Sequence, residues 1–146
     1  MSTYDTDFYA WTQQQAAALR AKEFTALDLE HLAEEIESMG KRDRRAVERY
    51  LVVRLCHGLK WVYQSERRGR SWQRTLTVTR QRLVRLLRDH HTLRAELAEL
   101  IPAAYADARE LAAAETGLPL SAFPPDCPWP EPDQVLAADF PPEAHA

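Results

Sequence analysis

Residues 41–64, KRDRRAVERYLVVRLCHGLKWVYQ, decide the fold. In them Val47, Tyr50, Leu51, Leu55, Leu59 and Val62 recur every three or four positions through the longest uninterrupted helical pattern in the chain. That period lines one face of a helix, so the segment reads as the central helix of a helical core. Toward the N-terminus, Leu29, Leu32, Ala33, Ile36 and Met39 form a second apolar stripe with Glu30, Glu34 and Glu37 outside it. Asp28 is its expected N-cap and Gly40 its expected end. Further out, Phe8, Trp11, Gln15 and Leu19, helped by Ala16 to Ala18, mark a first helix from Thr6, its expected cap, to about Lys22.

Toward the C-terminus, Ser65 to Arg70 is polar and aperiodic and reads as a loop, after which Ser71 is expected to cap a fourth helix. In that helix Trp72, Leu76, Leu83, Leu86 and Leu87 face inward while Arg74, Arg82, Arg85 and Arg88 point elsewhere. A turn at Asp89 to Thr92 leads to a fifth helix, Leu93 to Glu115, whose buried face is Leu97, Leu100, Ile101, Tyr105, Ala108, Leu111 and Ala112. Pro102 lies inside it, removing one backbone bond and crowding the carbonyl of Ala98, so a kink or a split is expected. Gly117 is placed to stop the helix in the left-handed conformation.

Eight of the nine prolines follow Leu118. Such a tail cannot be one regular helix, yet Phe123, Trp129, Val135, Leu136 and Phe140 are too apolar for a free one. It is expected to wrap over the helices, with one helical turn at Asp133 to Ala138. The fold class is therefore all-α: an up-and-down bundle of four or five helices, residues 1–117, with a proline-rich C-terminal arm, 118–146, packed on it as part of the same domain.

Composition agrees. An apolar fraction of 45%, a charged fraction of 28% and only four glycines in 146 residues suit a globular helical domain able to bury its own core. The first residues carry Asp5 and Asp7 rather than a basic stretch before an apolar run, so no secretory leader is expected. No apolar stretch reaches the ~20 residues of a membrane span. Cys56 and Cys127 are read as reduced thiols, which places the protein in the cytoplasm.

The net charge of −3 conceals a strong polarity: residues 1–40 sum to −6, residues 41–94 to +12 and residues 95–146 to −9. Acidic outer helices can neutralise the basic centre within one molecule. The alternative is a basic surface left free for a polyanion or an acidic partner.

Several strings carry a family resemblance: Asp5 to Trp11 (DTDFYAW), Asp28 to Glu37 (DLEHLAEEIE), Leu59 to Trp61 (LKW), Arg70 to Trp72 (RSW), Tyr105 to Arg109 (YADAR) and Glu115 to Pro119 (ETGLP). In this order they resemble the bacterial domain of unknown function 29 family over nearly the whole chain. The resemblance implies a small helical protein with no accepted activity, cofactor or partner. It supports the fold and assigns no catalytic residue.

Two constellations could carry chemistry. Asp28, His31 and Glu35 lie at i, i+3 and i+7 on one side of a helix, and a carboxylate three residues before a histidine recurs in the metal centres of helical bundles. They are the candidate metal ligands, with His57, His90 or His91 as possible nitrogen partners from elsewhere. The plainer reading is a helix stabilised by its cap and by ion pairs. Arg67, Arg68, Arg70 and Arg74, followed by Arg80, Arg82, Arg85 and Arg88, are the candidate polyanion-binding residues, with Trp61, Tyr63 and Trp72 available to stack if exposed. Net acidity and the lack of a helix-turn-helix or zinc signature weigh against a dedicated nucleic-acid binder. Cys56 and His57 are neighbours in sequence and so do not face each other on a helix.

No glycine-rich phosphate loop, Cys-x-x-Cys pair or Gly-x-Ser-x-Gly elbow is present. No cofactor is expected. The leading expectation is a non-enzymatic interaction or regulatory module that binds another protein or itself as a homodimer. The alternatives are a nucleic-acid-associated protein using the arginine-rich region and a metal-dependent helical hydrolase built on the acidic helix.

Overall fold

The structure is a computed structural model and describes residues 2–142; Met1 and the last four residues of the expected arm, 143–146, lie outside it. Among the described residues there are six α-helices and no strand, so the chain is all-α as its periodicity demands. The helices are α1 (Thr3–Thr6), α2 (Phe8–Arg20), α3 (Leu29–Tyr63), α4 (Arg70–Asp89), α5 (His91–Thr116) and α6 (Pro132–Leu136). None of the described helices is long and apolar enough to cross a membrane. The chain divides into two compact units, Met1–Arg42 and Asp43–Ala146.

The main departure from the sequence reading is Gly40, which does not end a helix. The segments expected as a second and a third helix are one, α3, of 35 residues. A glycine inside a helix costs only about 1 kcal/mol relative to alanine, and Gly40 does not take the left-handed conformation of a glycine stop; among the glycines only Gly117 takes a positive φ, +74°. With helix formers such as Glu37, Lys41 and Arg42 on both sides, continuation is the cheaper course. Pro102 likewise stays inside one helix, α5, rather than splitting it. Two caps move as well. Asp7, not Thr6, accepts the Ala10 N–H at the start of α2, and α4 begins at Arg70 behind Gly69, which leaves Ser71 one residue inside it.

In the first unit Asp28 caps α3 as expected, its carboxylate accepting the His31 N–H at 3.4 Å. The chain turns out of α2 with Lys22 at φ +58°, and Glu23 N–H reaches back to the Ala18 carbonyl, the geometry of a Schellman ending. Little is buried there: Trp11, Gln15 and Ala18. The apolar stripe expected to face a core is open instead, with Leu29, Ile36 and Met39 exposed at 69%, 66% and 58%. Phe8, Tyr9, Leu19 and Phe24 are exposed too. The reason is that two helical segments bury only the strip along their mutual contact, and α3 carries a wider apolar face than that.

The second unit holds the main core. Val47, Leu51, Leu55 and Leu59 of α3, Leu76, Leu83 and Leu87 of α4, and Leu97, Ile101, Tyr105, Ala108 and Ala112 of α5 form one cluster. Leu111, expected in that face, is partly exposed. α5 ends where Gly117 donates to the Ala113 carbonyl at 3.0 Å. The arm then crosses the core: Phe123, Trp129, Val135 and Phe140 are all buried in the same cluster. It is held by polar contacts as well, since Arg109 donates to the Phe123 carbonyl at 3.0 and 3.2 Å and the Tyr105 hydroxyl to that of Pro124.

Candidate functional site

The candidate metal ligands separate into a pair and a single residue. On the first turn of α3, the Asp28 carboxylate lies 2.6 Å from His31 Nδ1 and also accepts the Trp11 indole N–H at 3.2 Å. The Gln15 amide oxygen accepts the Asp28 N–H at 2.7 Å, which holds the residue in place. The hydrogen bond between them pushes the His31 pKa up and the Asp28 pKa down. Glu35 is engaged elsewhere, accepting the Tyr4 hydroxyl at 2.6 Å. That bond, with burial and neighbouring carboxylates, pushes the Tyr4 phenol up to about 12. Tyr4 stacks flat on the His31 ring at 3.9 Å and meets Trp11 edge-on at 4.9 Å. Asp28 thus fixes an imidazole that can carry a proton at Nε2, and the aromatic rings wall it in. Among the described residues no group of three or more His, Cys, Asp or Glu side chains is arranged to hold a metal ion.

Two other histidines, His57 and His90, have engagements of their own. His57 Nδ1 lies 2.9 Å from the Val53 carbonyl, one helical turn back, and burial pushes its pKa down. His90 Nε2 sits 3.6 Å from Asp43. Beside His57, the Cys56 thiol points at Glu115, 3.7 Å away, so Cys56 and His57 do not form a nucleophile and base pair. Burial first, and the Glu115 charge second, push the Cys56 thiol up to about 12, which leaves it protonated at neutral pH. Lys60, itself nearly buried, donates to the same Glu115 oxygen at 2.7 Å and lies 5.0 Å from the centre of the Trp72 ring. This Lys60–Glu115 pair, 55 residues apart in sequence, ties α3 to the last turn of α5. Both residues lie in strings that carry the family resemblance, LKW and ETGLP, but nothing in the sequence paired them.

The candidate polyanion residues Arg67, Arg68, Arg70 and Arg74 are all exposed. Arg68 donates to the Trp61 carbonyl at 2.7 Å and its guanidinium lies 5.2 Å over the Trp61 ring. Among the described residues no carboxylate pairs with these four, nor with Arg80, Arg82, Arg85 or Arg88 of α4; the arginines that do pair are Arg44 with Glu48 and Glu96, and Arg94 with Asp133. The outer face of α4 forms a shallow groove of about 480 Å³ lined by Val78, Arg80, Gln81, Arg82, Val84, Arg85 and Arg88. Trp61 and Trp72 are half-buried, whereas Tyr63 is exposed.

One more arginine was missed in the sequence. Arg54 lies in the apolar run between Val53 and Leu55, and it is only 1% exposed. Its guanidinium donates to the carbonyls of Val135 at 2.5 Å, Leu76 at 2.5 Å and Ala137 at 2.8 Å, and it lies 4.6 Å over the Phe140 ring. A charged residue inside the core stripe of a helix is the signal that marked it, because such a group is retained only where several acceptors meet it.

No curated protein and no solved structure matches the chain. The model of one family, described as domain of unknown function DUF29, matches residues 3–141, which take in both units and the arm to Pro141, and the chain belongs to that family.

Proposed function

We propose that the protein is a non-enzymatic helical interaction module that pairs with a second copy of itself. The observation that carries this reading is the complementarity of two exposed faces. The N-terminal part of α3 presents Leu29, Ile36 and Met39 beside Glu30, Glu34 and Glu37. The outer face of α4 presents Val78 and Val84 beside Arg82, Arg85 and Arg88, whose charges no described carboxylate balances. Each face has the pattern of the other in opposite sign. A two-fold exchange, α3 of each copy on α4 of its partner, would bury both apolar rows and pair both sets of charges. The apolar side chains supply the affinity, while the charges set orientation and speed of encounter. Two free cysteines suit such a module in the reducing cytoplasm.

Sedimentation equilibrium in low and high salt tests the pairing. A dimer is expected that weakens as salt screens the ion pairs. R82E/R85E and E34K/E37K should each be monomeric, and an equimolar mixture of the two should form a heterodimer, since both exchanged contacts then regain opposite charges. A monomeric wild-type chain, or a dimer indifferent to both reversals, refutes the reading.

Exposure of Arg67, Arg68, Arg70 and Arg74 beside the Arg68–Trp61 stack favours a second reading, binding of single-stranded nucleic acid. Fluorescence anisotropy with a labelled oligonucleotide would then show affinity falling steeply with salt, with a shallower slope for R70Q/R74Q.

A further inference from the structure

Behind the arm, Arg54, Leu76, Thr77, Arg80, Gln81, Ala138 and Phe140 enclose a cavity of about 150 Å³. Arg54 uses three of its five N–H groups on backbone carbonyls, and Arg80 uses its Nε–H on the Leu136 carbonyl at 2.8 Å. Two guanidinium groups therefore border one small space with donors left over. Thr77 and Gln81 add a hydroxyl and an amide to its lining. No carboxylate lines it, and among the described residues none pairs with either arginine. Burial, and secondarily the Arg80 charge, lower the Arg54 pKa to about 10, so the two cations feel each other. Two positive charges bordering one cavity are an arrangement that a bound anion relieves.

The cavity adjoins a larger groove of about 780 Å³ that shares Leu76, Thr77, Ala138 and Phe140 with it and adds Trp61, Gln73, Asp139, Pro141 and Pro142. Aromatic and proline surfaces there suit a flat ring, and Asp139 can accept a hydrogen bond from it. We propose that the Arg54–Arg80 cavity binds the phosphate of a small phosphomonoester whose ring-bearing body lies in the groove between Trp61 and the arm. A phosphomonoester dianion matches the two guanidinium charges, whereas a carboxylate supplies half of what is needed.

Isothermal titration calorimetry of the full chain in phosphate-free buffer tests this with adenosine 5′-monophosphate, adenosine, inorganic phosphate and acetate as probes. The monophosphate should bind at least about tenfold more tightly than each of the other three, the contribution of a charge-assisted contact. R80Q should lose about tenfold for the monophosphate and nothing for adenosine, R80K should retain an intermediate affinity, and the exposed-site control R20Q should match wild type. Far-UV circular dichroism of R80Q should be unchanged, which separates loss of the site from loss of the fold. Absence of monophosphate binding at about 10 mM, adenosine binding as tightly as the monophosphate, or R80Q binding like wild type would each overturn the proposal.

Discussion

Arg54→Met should release the arm. The methionine fills much the same volume without its donors, so the change isolates the hydrogen bonds. The Val135 carbonyl, on a residue with no exposure, has Arg54 as its one hydrogen-bond partner among the described residues. Orphaning such a group costs about 1–3 kcal/mol. Ala137 and Leu76 keep other donors, from the Phe140 N–H at 3.2 Å and the Thr79 hydroxyl at 3.1 Å, so each loses only one charge-assisted bond of roughly 1.5 kcal/mol. Removing a buried cation from water-poor surroundings returns part of this, since such charges carry a desolvation cost. A net destabilisation of about 3 kcal/mol remains, equivalent to a Tm lower by roughly 6–12 °C for a chain of this size. Urea unfolding followed by circular dichroism measures it. Arg54→Lys, which keeps the charge but cannot fork to three carbonyls, should recover only part of the loss. A stability of R54M within about 0.5 kcal/mol of wild type would show that packing alone holds the arm.

The two glycines of α3 should respond oppositely to alanine: Gly40→Ala, whose new methyl meets nothing within 4 Å, should stabilise by about 0.5–1 kcal/mol. Gly58→Ala drives a methyl to 2.7 Å from the Phe140 ring and should cost about 1–3 kcal/mol from overpacking; equal effects in thermal melts would contradict the packing described. By NMR, His31 should titrate above the ordinary histidine range and His57 below it. Because the His31 pKa is raised on folding, its contribution to the first unit is complete below the unfolded value of about 6.5 and is lost as pH rises through the folded one. Asp28, lowered on folding, contributes above its ordinary value of about 3.9 and loses that as pH falls, and Asp28→Asn should return His31 to the ordinary range. Cys56, buried with its thiol near 12, should react with a disulfide reagent only as fast as the second unit opens, and rapid labelling of the native chain at pH 8 would refute its burial.

Local chemistry legible in the sequence survives in the structure wherever one helix face had an unambiguous partner. The stripe from Val47 to Leu59 is core, Asp28 caps α3, Gly117 ends α5, and the aromatic residues of the arm are buried as their composition demanded. The candidate sites were legible only as residue types. Asp28 and His31 are three apart on one helix and had to be neighbours, so their pairing followed from spacing. Glu35 did not join them, because Tyr4 from α1 reached it, and no periodicity in either segment encodes that meeting.

What the sequence by itself determined is therefore the helical class, the buried stripe, the Asp28 cap and Gly117 stop, and the charge polarity, each read from residues close together in the chain. Only the tertiary structure decided that Gly40 lies within a helix, that Leu29, Ile36 and Met39 face solvent, and that Arg54, Lys60 and Arg80 find acceptors on α5 and the arm, 55 or more residues away. The physical reason is the same for all three. A helical pattern states which face is apolar, but whether that face meets a core, and which buried polar group meets which carbonyl, depends on elements distant in the chain that must bury their own surfaces at the same time.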